Sequence, residues 1–166
     1  MIRVYLAQVR ALGENKRENQ RKTAQALVEE ALGMKLSHLD GGAPFCENGY
    51  VSISHSGDLV AVAWSENPVG IDIEQQKERP QEVWNRALHP DEHGEGYRAW
   101  CRKEAYVKFL GLGFTAPPST VVPREVWFDC AEFRGFQLAV CAKREDEVTY
   151  LWEEKPHVWE TALLHR

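Results

Sequence analysis

Two acidic side chains, Asp72 and Glu74, stand two residues apart in the strand-like run 70–74, where Ile71 and Ile73 precede them. Because side chains alternate across a strand, both carboxylates are expected on one face and both isoleucines on the other. Two carboxylates this close repel each other unless a cation or a buried base neutralises them. Magnesium takes one or two such carboxylates together with waters and substrate phosphates. The pattern fits a magnesium site, and it also fits a solvated polar strand face.

A third acid lies on a predicted helix. Glu104 and Lys108 are four residues apart, so a helix places them on one face. An exposed pair of this kind is ordinary and contributes only about 0.3–0.5 kcal/mol. Here Trp100, Tyr106 and Val107 surround the pair, which indicates that part of this helix is buried.

Residues 52–57 read Ser-Ile-Ser-His-Ser-Gly, a strand that ends in small hydroxyl residues, a histidine and a glycine turn. Such a segment can present hydroxyls, backbone N–H groups and the His55 imidazole to a phosphate. A turn histidine with ordinary internal contacts is the alternative. A serine nucleophile is not favoured, because adjacent strand residues point to opposite faces and the Gly-x-Ser-x-Gly pattern is absent.

Two patterns that could indicate zinc are set aside. His89 and His93 fit a His-x-x-Glu-His motif, but Pro90 places His89 before any helix and Gly94 follows at once, so the two histidines would not share a helical face. The cysteines include no Cys-x-x-Cys pair and are expected to be reduced, buried thiols. They are Cys46, Cys101, Cys130 and Cys141.

The composition predicts a soluble globular protein. The 166 residues are 43% hydrophobic and 27% charged, enough for one domain or two small lobes. The net charge of −5 does not favour a nucleic-acid-binding surface. The first residues are too few and too polar for a signal peptide, and no apolar run reaches membrane-spanning length. We therefore expect a cytoplasmic protein with neither nucleic acid nor membrane as a partner.

Hydrophobic spacing predicts a helix followed by three strands, twice over. This order predicts an α+β fold of two similar lobes, each a helix with a three-stranded antiparallel sheet, related by a pseudo-two-fold axis. The predicted lobes are residues 1–75 and 76–166. The predicted helices are 18–32 and 96–111, and the predicted strands are 2–9, 50–55, 59–65, 69–74, 125–130, 136–142 and 147–153.

The three motifs together resemble the surfactin-synthetase-activating type of 4′-phosphopantetheinyl transferase. Residues 54–57 (Ser-His-Ser-Gly), 70–74 (Gly-Ile-Asp-Ile-Glu) and 100–108 (Trp-x-x-Lys-Glu-Ala-x-x-Lys) follow the family's order. The last motif has one spacing fewer than the family's Trp-x-x-Lys-Glu-Ala-x-x-x-Lys. The stretches at 111–114 and 137–141 are similar as well. The resemblance covers roughly residues 42–142.

The resemblance implies an enzyme that transfers the phosphopantetheine arm of coenzyme A to a serine of an apo acyl or peptidyl carrier protein. The family's two lobes meet at a cleft, and such proteins act as monomers with Mg²⁺. Carried over, the metal ligands are Asp72, Glu74 and Glu104, the catalytic residues are Glu104 and Lys108, and the coenzyme A contacts are Ser54, His55, Arg21, Lys22 and Lys103. A non-catalytic paralogue that binds coenzyme A or a carrier protein is the alternative.

Two positions bear on how closely the chain follows the family. The family often has Gly-Lys-Pro before the Ser-His-Ser strand, whereas this chain has Ala43 at the lysine position. Glu92 stands where the family often carries an acid. The nucleotide contacts are therefore where this chain departs most from the family pattern.

Overall fold

A computed structural model describes residues 1–38, 44–111 and 121–166 of the chain. These residues form three α-helices, one 3₁₀ turn and ten strands. The helices are α1 (Lys16–Leu32), α2 (Gln81–Ala87) and α3 (Tyr97–Phe109), and the 3₁₀ turn is Pro90–Glu92. The strands are β1 (Ile2–Gln8), β2 (Ser37–His38), β3 (Pro44–Phe45), β4 (Tyr50–Ser56), β5 (Leu59–Ser65), β6 (Val69–Gln75), β7 (Trp127–Phe133), β8 (Phe136–Ala142), β9 (Val148–Lys155) and β10 (Val158–Thr161).

Both predicted helices are confirmed as α1 and α3, and the seven predicted strands are present as β1 and β4 to β9. Asn15 caps the start of α1 by accepting a hydrogen bond from the Glu18 N–H, and Gly33 ends it with a left-handed φ of 64°, as glycine does at many helix ends. The shorter elements were not predicted. β2 and β3 have two residues each and α2 buries no side chain, so none of them has a hydrophobic period to detect.

The predicted α+β class is confirmed, but the predicted three-stranded sheet in each half is wrong. The described residues form a five-stranded sheet in the order β10-β9-β1-β5-β4, a three-stranded sheet in the order β6-β8-β7, and the small pair β2-β3. β6 pairs with β8 rather than β5, although the predicted division at residue 75 separates β6 from β8. β9 runs parallel to β1. The physical reason is that β1 lies inside the protein, where the backbone N–H and C=O groups along both of its edges need partners, and β5 and β9 supply them.

Three apolar cores stack in layers. The central core lies between the two sheets and includes Leu6 and Ile71. A second core lies between α1 and the other face of the five-stranded sheet, around Leu27. The third lies between α3 and the other face of the three-stranded sheet, around Cys101 and Ala139. The order of layers is therefore helix, sheet, sheet, helix. None of the helices in the described ranges combines the length and apolar composition that a membrane crossing requires.

Three serine hydroxyls join the facing edges of the two sheets. Strand β6 is an edge strand, and its outward N–H groups would be buried without partners if β4 did not supply them. From Ser52 onwards every second residue of β4 is a serine, so all three hydroxyls lie on one face. The bonds run from Ile71 N to Ser52 Oγ (3.0 Å), from Ile73 N to Ser54 Oγ (3.2 Å) and from Gln75 N to Ser56 Oγ (3.0 Å).

Helix α3 crosses β6 at Gly70, where the two backbones touch. A Cβ atom at this position would overlap the carbonyl oxygen of Ala105 and would lie 2.6 Å from the backbone nitrogen of Phe109. Both atoms belong to helix backbone, so a side chain at residue 70 would force the whole helix away from the strand. The glycine thus sets how closely α3 approaches the acidic face of β6.

We expect Gly70→Ala to lower the free energy of unfolding by about 1–3 kcal/mol, the usual cost of inserting a carbon where no space exists. Urea denaturation measures it. Gly94→Ala is the control, because a Cβ at Gly94 meets no atom within 4 Å, and its effect should stay within about 0.5 kcal/mol. Equal stability of the two variants would contradict the close approach of α3.

Candidate functional site

A cleft of about 390 Å³ lies where α1, β4, β6 and α3 meet. It brings together seven of the nine residues that the sequence predicted for the site. These are Arg21, Ser54, His55, Asp72, Glu74, Glu104 and Lys108. The acids of β6 reach the cleft from the face that packs under α3, because Asp72 lies opposite Ala139 in the sheet and Ala139 belongs to the core beneath that helix.

Asp72 is the most buried of the three acids, with 3% of the residue exposed. Its Oδ1 accepts hydrogen bonds from the Ser54 hydroxyl and the Lys108 ammonium, both at 2.8 Å. Its Oδ2 is buried and has no hydrogen-bond partner within the described ranges. A buried carboxylate oxygen without a donor is costly, so this atom marks a place where a cation fits.

Glu74 follows Asp72 by two residues on β6, so the two side chains lie on the same face of the strand. Its Oε2 accepts from the Ser56 hydroxyl at 2.8 Å and its Oε1 from the Trp100 indole N–H at 3.4 Å. Burial raises the pKa of the Glu74 carboxyl, and the nearby charge of Asp72 raises it further. These two hydrogen bonds therefore do not fully compensate the charge of Glu74.

Glu104 approaches the same space from α3. Burial raises the pKa of the Glu104 carboxyl, and the charge of Asp72 adds to that effect, while Lys108 opposes it. Three carboxylates thus share one cleft with a lysine that can neutralise one of them. The remaining negative charge favours an additional cation.

The donor set fits magnesium, although no closed cage is formed. In the described part of the chain, no group of three or more His, Cys, Asp or Glu side chains is already arranged around a common point. An open set of carboxylate oxygens is nevertheless the usual form of a magnesium site, because the ion keeps several waters and binds substrate phosphates. The unpartnered Oδ2 of Asp72 and the raised pKa values of Glu74 and Glu104 support the fit.

The opposite side of the cleft is basic. Arg17 and Arg21 both line it, because they are one helical turn apart on α1. His55 is exposed within the cleft, yet desolvation by its surroundings lowers the pKa of its imidazole, and the charges of Lys108 and Arg17 lower it further. Positive charges that oppose protonation of a histidine also attract an anion. This side therefore suits the phosphate groups of a ligand.

The other two predicted site residues lie elsewhere. Lys22 is directed away from the cleft, and its Nζ lies 3.0 Å from both the Glu18 carboxylate and the Leu12 carbonyl oxygen. Lys103 is 2% exposed and pairs with Glu92 at 2.8 Å. Neither residue lines the cleft, so neither predicted coenzyme A contact is brought to the site in this arrangement.

Glu92, the acid matched from sequence, therefore has a structural partner. Its carboxylate accepts from the backbone N–H of His89, which completes a capping box at the 3₁₀ turn, and it also binds the Lys103 ammonium. One acid thus connects the segment before α3 to α3 itself. Ala43 and residues 112–114 lie outside the described residues.

Sequence reasoning missed several residues of the cleft. Arg17 is four positions before Arg21, and helical spacing could have identified it in place of Lys22. The apolar part of the lining carried no comparable signal, because its members come from separate elements. They are Ala24, Leu36, Pro44 and Ile53.

We expect Glu104→Gln to raise the melting temperature of the protein measured in a chelator, because the substitution removes a charge that burial and Asp72 disfavour. The neutral amide has nearly the same shape, so packing is kept. Glu66→Gln, at an exposed turn, is the control and should leave the melting temperature nearly unchanged. A lower melting temperature for Glu104→Gln than for the parent would show that the charge stabilises the cleft.

Comparison with known proteins assigns a family. A family model described as the 4′-phosphopantetheinyl transferase superfamily matches residues 68–163, more than half of the chain. The match begins one residue before β6 and contains Asp72, Glu74, Glu104 and Lys108. The residues on α1 and β4 that complete the cleft precede it.

Individual relatives agree with the family model. The 4′-phosphopantetheinyl transferase ffp of Bacillus subtilis is 28% identical over 132 residues, covering 62% of this chain and 59% of its own length. A second 4′-phosphopantetheinyl transferase of Bacillus subtilis is 31% identical over 109 residues, covering 57% of this chain and 49% of its own length. The 4′-phosphopantetheinyl transferase gsp of Aneurinibacillus migulanus is 32% identical over 89 residues, covering 46% of this chain and 38% of its own length.

The chain spans about half the length of these curated relatives. The stretch that matches the family model, residues 68–163, contains the acids of the cleft. The family predicted from the three motifs is confirmed: this chain belongs to the 4′-phosphopantetheinyl transferase superfamily.

Proposed function

We propose that this protein transfers the 4′-phosphopantetheine arm of coenzyme A to a serine of an apo acyl or peptidyl carrier protein. The observation that carries the proposal is the cleft itself. Asp72 and Glu74 from β6 and Glu104 from α3 share it with Arg17 and Arg21. A cation-binding side facing an anion-binding side is what a pyrophosphate with its metal ion requires.

Asp72, Glu74 and Glu104 would hold magnesium, which neutralises the pyrophosphate and stabilises the leaving group. Lys108 contacts Asp72 at 2.8 Å, so its ammonium would lie beside the same phosphates and add positive charge there. Together these groups would stabilise the negative charge that develops on the leaving oxygen in the transition state.

The basic side of the cleft would bind the remaining phosphate charge of coenzyme A. Arg17 and Arg21 can each offer a planar set of donors to phosphate oxygens, and the neutral imidazole of His55 can donate one hydrogen bond. Arg17 also supplies a positive charge in a chain that has Ala43 where the family often has a lysine. We propose Arg17 and Arg21, rather than Lys22, as the phosphate contacts of α1.

The proposed reaction is a substitution at the β-phosphorus. The carrier serine oxygen forms a bond to that phosphorus, and the bond from phosphorus to the bridging oxygen breaks, which releases 3′,5′-adenosine bisphosphate. Glu104 accepts the serine proton directly or through one water.

The proposal includes the predicted two lobes and activity as a cytoplasmic monomer, although β6 and β9 each pair with a strand on the other side of the predicted division at residue 75. The packing of α1 and α3 on separate sheets supports two lobes, and the cleft takes residues from both sides of the division. A single chain therefore supplies both the acidic and the basic side.

We expect an apo carrier protein to gain the mass of one phosphopantetheine when it is incubated with the protein, coenzyme A and Mg²⁺. Intact-mass spectrometry measures the gain. Asp72→Ala or Glu104→Ala should abolish it while circular dichroism remains that of the parent. No gain on several different carriers would favour the non-catalytic alternative, and full activity of either variant would contradict the assigned acids.

We expect Arg21→Ala to raise the KM for coenzyme A about tenfold or more, the value of one charge-assisted hydrogen bond. Steady-state kinetics with varied coenzyme A measures it. Lys22→Ala is the matched comparison on the same helix, because Lys22 pairs with Glu18, and its KM should change less than about twofold. A larger increase in KM for Lys22→Ala than for Arg21→Ala would instead identify Lys22 as the phosphate contact.

A further inference from the structure

Ser54 and Ser56 each make two hydrogen bonds of opposite sense. The Ser54 oxygen accepts from the backbone N–H of Ile73 at 3.2 Å and its proton is donated to Asp72 Oδ1 at 2.8 Å. The Ser56 oxygen accepts from the N–H of Gln75 at 3.0 Å and its proton is donated to Glu74 Oε2 at 2.8 Å. Each serine therefore binds a backbone N–H of β6 and also the carboxylate of the residue immediately before that N–H.

The N–H bond determines where the hydroxyl proton goes. A serine hydroxyl has one proton and two lone pairs. When β6 occupies one lone pair of Ser56 from a fixed direction, the proton is directed to the carboxylate beside it. Each acid is then held by one oxygen. The other oxygens are Asp72 Oδ2, which lacks a partner in the described residues, and Glu74 Oε1, which accepts only a long 3.4 Å bond.

Ser52 shows the same arrangement without the acid. Its hydroxyl accepts from the N–H of Ile71 at 3.0 Å, but the residue that precedes Ile71 is Gly70. In the described part of the chain the Ser52 hydroxyl contacts no carboxylate. All three serines thus accept a hydrogen bond from a backbone N–H of β6. Only Ser54 and Ser56 also donate to a carboxylate.

We propose that Ser54 and Ser56 are positioning residues that fix Asp72 and Glu74 for cation binding, each by holding one carboxylate oxygen and leaving the other for the ion. This inference rests on the proposed function, because that function supplies the cation. Hydrogen-bond partners of metal ligands commonly change metal affinity by 10–100-fold when they are removed.

The test uses Mn²⁺ as the probe, titrated by electron paramagnetic resonance into protein saturated with coenzyme A and without carrier. Ser56→Ala should weaken Mn²⁺ binding about tenfold or more. Ser56→Thr keeps the hydroxyl and should restore binding to within about twofold of the parent. Ser52→Ala is the matched control, since it removes a bond between β4 and β6 but no carboxylate contact. Urea denaturation of each variant measures the structural cost separately.

The outcomes separate the inference from the proposed function. Equal Mn²⁺ affinity of the parent and Ser56→Ala overturns the positioning role while the metal site stands. Equal weakening by Ser52→Ala and Ser56→Ala also overturns it, because the effect then comes from the strand contact. A parent protein that binds no Mn²⁺ with coenzyme A present overturns the cation site itself and the positioning role with it.

Discussion

The contact between the edges of β4 and β6 is the constraint on which the rest of the site depends. Two sheets usually pack face to face and leave their edges to solvent or to covering elements. Here the hydroxyls of Ser52, Ser54 and Ser56 replace a missing neighbour strand for β6. Because β4 also belongs to the sheet that carries α1, this contact sets the distance between the basic helix and the acidic strand.

The charges in the cleft are unfavourable for folding and useful for binding. Burial raises the pKa of the Glu74 and Glu104 carboxyls and the charge of Asp72 raises both further, so folding without a cation leaves an electrostatic cost. Such a cost is common where a protein is organised around a charged ligand that binds later. The apolar cores on both sides, one around Leu27 and one around Cys101, provide the stability that offsets it.

Local patterns predicted the elements well and their partners poorly. The alternation in 70–74 correctly placed Asp72 and Glu74 on one strand face, and the spacing of Glu104 and Lys108 correctly placed them on one helix face. The same patterns contain no information on which strand edge meets which, so β6 was assigned to the wrong sheet partner. The role of the serines depends on that pairing, and for this reason their contacts with the acids could not be predicted from spacing.

The parallel pairing of β1 with β9 also affects how the chain reaches this fold. Val4 lies beside Tyr150 in the five-stranded sheet, so the central strand acquires its second neighbour only from a segment far away along the chain. Contacts so distant in sequence slow folding, because a long loop must close before they form. Until then one edge of a largely apolar strand stays open to other chains, which is a recognised route to aggregation. The parallel pairing that completes the sheet is therefore also the step of folding that requires the longest loop to close.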